Sequence, residues 1–139
     1  MSIVPSASPA SDDALQAHRA ASGLSPWQAL AAQGDVAGLQ RALQQVRQRA
    51  AAPGLAAVWI HPCPDTAWAA QLHTLAQRLA EQPDGAQRLA RWPLLGVPFA
   101  VKDNIDIEGE PTSAACPAFT HRAARNATVV QRLLDAGAL

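Results

Sequence analysis

Lysine and cysteine are both scarce in this sequence of 139 residues. Of its eleven lysine and arginine residues only Lys102 is a lysine, and its two cysteines are Cys63 and Cys116. Two cysteines are too few for a disulfide framework, and neither belongs to a Cys-x-x-Cys pair. The formal net charge is zero, which gives no overall attraction for nucleic acid or for an anionic membrane. We therefore expect neither nucleic acid nor a membrane as a partner.

Long apolar runs are also absent. None approaches the roughly 20 residues that a helix needs to cross a bilayer. The start, Met1-Ser2-Ile3-Val4-Pro5, lacks the basic segment and apolar stretch of a secretory signal. Hydrophobic residues make up 49% of the sequence and charged residues 16%, as is usual for a globular protein. These observations favour a cytoplasmic protein with a folded core.

Lys102 is notable because it follows directly on the apolar run 94–101. Arginine stays protonated at physiological pH, whereas a lysine ammonium can lose its proton when it is moved out of water. Lowering the pKa of a lysine from 10.4 to about 7.5 costs roughly 4 kcal/mol, which only a well-packed core can supply. From position alone, a solvated lysine just beyond a strand is the simpler interpretation.

The spacing of apolar residues predicts four helices. The expected N-caps are Ser25 in Ser25-Pro26-Trp27-Gln28, Asp65, and Thr128 in Thr128-Val129-Val130-Gln131, and one further helix is expected after Gly34-Asp35. The second helix carries the stripe Leu39, Leu43, Val46 and Ala50, and the third carries Trp68, Leu72, Leu75 and Leu79. Stripes with this period are typical of helix faces that pack in a core.

Extended segments are predicted between these helices. Residues 55–60 form a short apolar run, which indicates a short buried strand or an extended segment, and residues 94–101 form a second run. Pro98 implies that the second strand lies at an edge, contains a bulge or begins late. Residues 103–125 have the composition of a loop. A strand, loop and helix in this order lead to a returning parallel strand after Gly137, so we infer an incomplete α/β domain.

Three further groups of residues are candidates for chemistry. His61 and Cys63 have the separation of a metal pair, but no further ligands accompany them. Cys116 and His121 are the components of a thiol enzyme, although a spacing of five residues does not establish contact. Ser113 is the first serine after Lys102, but it lacks the flanking glycines of an exposed nucleophile turn. We expect none of these to form the active site.

The region from Trp92 onward resembles a known family. Residues 93–105, which run from Pro93 to Ile105 and include Lys102, resemble the catalytic-lysine segment of the amidase signature family of serine hydrolases. Residues 109–119 and 127–130, together with Trp59-Ile60 upstream, resemble its allophanate hydrolase branch. The resemblance implies an α/β fold with a mixed sheet flanked by helices. Residues 23–139 would then be an incomplete amidase domain, its N-terminal part, preceded by a mobile lead-in over residues 1–22.

The resemblance also implies a mechanism. Family members use a neutral lysine, a serine held by a cis peptide bond and a nucleophilic serine, and Lys102 would be the base. The reaction would cleave a C–N amide bond, with allophanate broken down to ammonia and carbon dioxide in urea degradation and with no metal or organic cofactor. Both serines belong to a Gly/Ser-rich segment that residues 1–139 do not contain, so we expect this chain alone to be inactive.

Two alternatives remain open at this point. The chain could belong to another amidase, such as an A-type subunit of a glutamyl-tRNA amidotransferase, or it could be a non-enzymatic, truncated partner of an amidase. In the enzymatic case the partner is a small amide or a urea-derived substrate, and the full-length form could be a homo-oligomer.

Overall fold

The computed structural model describes residues 23–139, so the lead-in predicted over residues 1–22 lies outside the described residues. Among these described residues, five α-helices carry most of the regular structure. They are α1 (Ser25–Gln33), α2 (Val36–Ala50), α3 (Asp65–Glu81), α4 (Gly85–Arg91) and α5 (Thr128–Asp135). Two short 3-10 helices, Pro53–Leu55 and Pro117–Phe119, and two short strands, β1 (Pro111–Thr112) and β2 (His121–Arg122), complete the fold.

The four predicted helices are confirmed. Gly34, with φ of 69°, ends α1 in the left-handed conformation that glycine adopts without strain. Asp35 then caps α2, because its Oδ1 accepts a hydrogen bond of 2.8 Å from the Gly38 N–H. The predicted caps at Ser25, Asp65 and Thr128 are each wrong by one residue, since these residues are the first residues of their helices and not caps.

Helix α4 was not predicted from the sequence. It is only seven residues long, and its N-cap is Asp84, whose side chain accepts a hydrogen bond of 2.8 Å from the Gln87 N–H. A helix this short has too few turns to show a clear 3.6-residue period. It packs against α1 closely enough that a Cβ on Gly85 would lie 2.2 Å from the Ala32 carbonyl oxygen. Glycine is therefore required at this crossing.

The core lies between the first four helices and the turn that follows them. Its buried hydrophobic members are Ala31, Leu39, Leu43, Leu75, Leu79, Trp92 and Leu95. The predicted stripes of α2 and α3 supply four of these residues, which confirms their assignment to the core. Burial of a leucine side chain contributes roughly 1.5–3 kcal/mol each.

One charged residue, Arg88, is buried in this apolar core with 3% of its surface exposed. Its guanidinium donates to the carbonyls of Ala31 and Ala32 at the end of α1, at 2.5 and 3.2 Å. It also donates to three carbonyls at the end of α3, those of Leu79, Gln82 and Pro83. These five acceptors match the five N–H donors of arginine, and helix C-termini carry partial negative charge. Arg88 therefore joins two helix ends without a carboxylate partner.

The strand predicted over residues 55–60 is wrong. The chain forms a 3-10 helix at Pro53–Leu55 and then a turn, in which Val58 N–H donates to the Leu55 carbonyl at 2.9 Å. Val58 and Ile60 are 59% and 51% exposed. Local turn hydrogen bonds satisfy this backbone, and no strand in the described part of the chain lies beside it, so the apolar composition alone does not produce a strand.

The strand predicted over residues 94–101 is wrong, since no part of this segment forms a regular strand. Residues 93–96 form a turn, and Gly96 has φ of 78°. From Val97 the chain is without helix or turn, and Leu139 donates to the Val97 carbonyl while accepting from the Phe99 N–H, both at 2.9 Å. This pair of bonds is the pattern of parallel strands. Only these two bonds have that pattern, and the returning parallel strand predicted after Gly137 is not formed among residues 23–139.

The loop predicted over residues 103–125 contains a small hairpin. Strand β1 pairs antiparallel with β2, with Pro111 opposite Arg122 and Thr112 opposite His121. Among residues 23–139 no helix is long and apolar enough to cross a membrane.

Candidate active site

Lys102 lies at the end of the segment that begins at Val97, and its side chain is exposed. Its carbonyl accepts a hydrogen bond of 2.9 Å from the Ile105 N–H. The next carbonyl, that of Asp103, accepts from the N–H groups of Ser113 and Ala114 at 3.2 and 3.0 Å. The backbone on the C-terminal side of Lys102 is therefore fixed by three hydrogen bonds, although the residue itself is exposed.

The Asp103 carboxylate is the centre of the polar contacts beside Lys102. It accepts hydrogen bonds from the Ser113 hydroxyl, from the Ser113 N–H at 3.3 Å and from the Ala115 N–H at 3.1 Å. The side chain is only 12% exposed. These bonds stabilise the charged form, the Ser113 hydroxyl most of all, and hold the pKa of Asp103 below its ordinary value. The carboxylate therefore stays ionised at neutral pH.

The residues held by Asp103 form a turn of unusual conformation. Ala114 and Ala115 have φ of 50° and 56°, and the Cys116 N–H donates to the Ser113 carbonyl at 2.8 Å. A type I′ turn has two consecutive central residues with positive φ, enclosed by a hydrogen bond from the fourth residue to the first. Its central positions favour Asn and Gly. Each non-glycine residue in the left-handed region costs roughly 1 kcal/mol. Two alanines keep this conformation because Asp103 bonds to the turn.

Two histidines lie close to aspartates of the same loop. His61 Nε2 is 3.6 Å from Asp103 Oδ1, and His121 Nε2 is 3.2 Å from Asp106 Oδ1. His61 comes from the segment before α3, so the first pair connects that segment to the residue after Lys102. His121 Nδ1 lies 3.4 Å from the Phe119 carbonyl oxygen.

The structure does not bring Cys116 and His121 into the contact that a thiol enzyme would need. Both nitrogens of His121 contact oxygen atoms, those of Asp106 and Phe119, and neither contacts Cys116. Partial burial raises the pKa of the Cys63 thiol, an effect that Arg47 only partly offsets. A raised pKa lowers the thiolate fraction. Cys63 therefore lacks the activated environment of a nucleophile.

His61 and Cys63 do not form a metal centre with their neighbours. Among the described residues no group of three or more histidine, cysteine, aspartate or glutamate side chains has the proximity that a metal ion requires. His61 instead lies against Asp103.

Ser113 lies near Lys102 in the fold, but its hydroxyl has a different role from that of a nucleophile. It donates its proton to the Asp103 carboxylate. The sequence analysis identified Lys102 but not the contribution of Asp103, because ten residues separate Asp103 from Ser113 and no short-range pattern connects them. The only sequence signal was the acidic residue next to the single lysine.

Comparison with known proteins agrees with the resemblance in the Lys102 region. Residues 62–139 match the model of the family described as Amidase. Urea amidolyase from Lachancea kluyveri is 62% identical over 47 residues, which are 34% of this chain and 3% of that protein. An amidase from Pseudomonas putida is 47% identical over 64 residues, which are 45% of this chain and 14% of that enzyme. The structure of Kluyveromyces lactis allophanate hydrolase is 40% identical, with a TM-score of 0.46 over 58% of this chain and 12% of that one.

The family match covers more than half of the sequence, and the chain therefore belongs to the amidase family. Its described residues form a helix-rich part of the α/β amidase fold, as predicted. The chain spans only a small fraction of the length of these relatives, 3% of the urea amidolyase and 14% of the Pseudomonas putida amidase.

Proposed function

We propose that this chain contributes the catalytic lysine of an amidase that hydrolyses a C–N bond. The observation that carries the proposal is the place of Lys102, the chain's only lysine, within the family match and at the end of the segment that begins at Val97. A proton acceptor must be held within hydrogen-bond reach of the group that it deprotonates. The hydrogen bonds of the backbone after Lys102 fix the point from which this side chain extends.

In the proposed mechanism the neutral amine of Lys102 accepts a proton from a bridging serine, which in turn accepts the proton of the nucleophilic serine. The alkoxide attacks the amide carbonyl, the nitrogen leaves with a proton, and water hydrolyses the acyl-enzyme. Backbone N–H groups stabilise the tetrahedral oxyanion. The two serines would come from a Gly/Ser-rich segment that residues 1–139 do not contain, so the chain by itself has no amidase activity.

The proposed substrate is allophanate, a small, nitrogen-rich product of urea carboxylation, which the enzyme would break down to ammonia and carbon dioxide. Support comes from the 62% identity with a urea amidolyase over 47 residues. The resemblance of residues 109–119 to the allophanate hydrolase branch supports the same substrate class. Such a reaction needs no metal or organic cofactor.

The experiment joins residues 1–139 to the downstream amidase segment of the Lachancea kluyveri urea amidolyase and measures ammonia release from allophanate. We expect activity from the joined polypeptide and none from residues 1–139 alone. Lys102→Ala should lower kcat at least about 1,000-fold, as expected for loss of a base that activates the nucleophile.

Two further variants separate the role of the base from that of a positive charge. Lys102→Arg keeps the charge and the approximate length, but arginine cannot lose its proton, so we expect the same loss of activity as with alanine. Arg125→Ala, at an exposed position, should leave kcat unchanged. An active Lys102→Arg enzyme would contradict the assignment of Lys102 as a base.

The same joined polypeptide distinguishes the alternatives. Turnover of simple amides or glutamine without turnover of allophanate would favour another amidase, such as an amidotransferase subunit. A joined polypeptide that folds but hydrolyses none of these compounds would favour a non-enzymatic partner.

A further inference from the structure

We propose that Asp103 is the positioning residue for Lys102, because its carboxylate holds the turn Ser113–Cys116 against the backbone that follows the lysine. The inference rests on the proposed function of Lys102 as the base. It assigns to Asp103 a role in orientation, and not in proton transfer.

Asp103 is joined to the turn through both its carboxylate and its backbone carbonyl. The carboxylate accepts from the Ser113 hydroxyl, the Ser113 N–H and the Ala115 N–H, at 3.3 and 3.1 Å for the two backbone donors. The Asp103 carbonyl accepts from the N–H groups of Ser113 and Ala114. Asp103 thus provides the acceptors for the N–H groups of Ser113, Ala114 and Ala115. The bond that closes the turn, from the Cys116 N–H to the Ser113 carbonyl, is the one that does not involve Asp103.

This turn requires external support. Ala114 and Ala115 both occupy the left-handed region, which alanine rarely adopts. Without the acceptors of Asp103 these residues would relax toward negative φ. The N–H groups that now bond to the Asp103 carbonyl would then move away from the Asp103–Asn104 peptide, the second one after Lys102.

Two peptides connect the turn to the lysine. The Lys102 carbonyl, which belongs to the Lys102–Asp103 peptide, accepts from the Ile105 N–H, and the Asp103 carbonyl, in the next peptide, accepts from Ser113 and Ala114. Rotation of these two adjacent peptides would change the direction in which the lysine side chain leaves the backbone. A displacement of about 1 Å at a reacting group can lower a rate about 100-fold.

The test uses the joined polypeptide described above and measures kcat and KM for allophanate. Asp103→Asn has nearly the same shape, but it replaces one acceptor oxygen with a donor and removes the charge. We expect kcat to fall roughly 10- to 100-fold while KM changes less than about threefold, since orientation affects the transition state more than substrate binding. Asp106→Asn is the matched control, because that carboxylate pairs with a histidine and accepts no bond from the turn. It should keep kcat within about twofold.

A rescue variant tests whether Asp103 acts through the turn. Ala114→Asn combined with Ala115→Gly places the preferred type I′ residues in the turn, which can then form without help from Asp103. Added to Asp103→Asn, this pair should restore kcat to within about fivefold of the parent enzyme. Loss of overall fold would not be repaired in this way, and thermal unfolding of each variant is measured alongside. Ser113→Ala, which removes only the hydroxyl donor, should give a smaller fall of about threefold and serves if Asp103→Asn does not fold.

The outcomes separate this inference from the proposed function. Full kcat in Asp103→Asn together with an inactive Lys102→Ala enzyme would overturn the role of Asp103 and leave the base in place. A loss of activity in Asp103→Asn that the Asn-Gly turn fails to restore would also overturn it. An active Lys102→Ala enzyme would overturn the proposed function itself.

Discussion

At the scale of single residues, the arrangement near Lys102 depends on a carboxylate that is charged and nearly enclosed. The Asp103 side chain is 12% exposed and accepts three hydrogen bonds, yet within residues 23–139 its only ionised or ionisable contact across the fold is His61, at 3.6 Å. Neutral donors of the turn therefore supply most of its stabilisation. Charge-assisted bonds of this kind are stronger than bonds between neutral groups.

The lowered pKa of Asp103 predicts a dependence of stability on pH. The carboxyl titrates at a lower pH in the folded chain than in the unfolded chain, where an aspartate has a pKa of about 3.9. Its contribution is therefore fully present above about pH 5 and is lost as the pH falls through the folded pKa. Asp103→Asn should lower the free energy of unfolding at pH 7, and its difference from the parent chain should shrink toward pH 2.5.

Urea unfolding of residues 1–139 at several pH values, followed by tryptophan fluorescence, measures this difference. Glu108→Gln, at an exposed position, is the control for removal of one negative charge. If the deficit of Asp103→Asn were as large at pH 2.5 as at pH 7, the hydrogen-bonded carboxylate would not be its source.

At the scale of elements, the sequence predicted those helices that have a long, regular stripe. The stripes of α2 and α3 extend over three or more turns, and their leucines Leu39, Leu43, Leu75 and Leu79 are buried as expected. The same reasoning failed for residues 55–60, because an apolar run does not reveal whether a neighbouring strand is present to pair with it. It also missed α4, whose position depends on contacts with α1 and not on its own seven residues.

The candidate site was predictable only in part for a similar reason. Lys102 was identified because it is chemically unlike the other basic residues and because its neighbours resemble a family segment. The Asp103 contacts and the left-handed turn arise from residues ten and more positions apart. Alanine gives no local indication of positive φ, since this conformation is imposed by hydrogen bonds from elsewhere in the fold.

Arg88 provides the sharpest prediction for the helical elements. Its five donors contact five carbonyls at the ends of α1 and α3, and the residue is 3% exposed. Lysine has three donors on a single nitrogen, so Arg88→Lys leaves at least two buried carbonyls without a partner. Each such group costs about 1–3 kcal/mol, and we expect the free energy of unfolding to fall by about 2–4 kcal/mol.

Arg91→Lys is the matched control on the same helix. Arg91 is exposed and pairs with Glu81 at 2.8 Å, and exposed ion pairs contribute less than about 1 kcal/mol. Urea unfolding should therefore place this variant within about 0.5 kcal/mol of the parent chain. Equal effects at the two positions would show that Arg88 does not join the helix ends in solution.

At the scale of the whole described chain, Lys102 lies between a helical core and a looped region. Two of the residues before it, Trp92 and Leu95, belong to the core. The end of the chain returns to the same segment, because Leu94, Gly96 and Phe99 donate to the carbonyls of Ala136, Gly137 and Leu139. At this contact Gly137 has φ of 95°, and a Cβ on it would lie 3.0 Å from Leu95 Cα. The segment that leads to Lys102 is thereby attached both to the helical core and to residues 136–139.

The distribution of burial predicts which apolar residues stabilise the molecule. Leu39 is fully buried and packs against Gly96, while Val58 is 59% exposed in the turn after the first 3-10 helix. Leu39→Ala should lower the free energy of unfolding by about 2–5 kcal/mol, because it removes buried methyl groups and leaves a cavity. Val58→Ser should change it by less than about 0.5 kcal/mol. Urea unfolding of residues 1–139 compares the two variants directly. A large loss from Val58→Ser would mean that residues 55–60 pack against the fold in solution, and would contradict their exposed position.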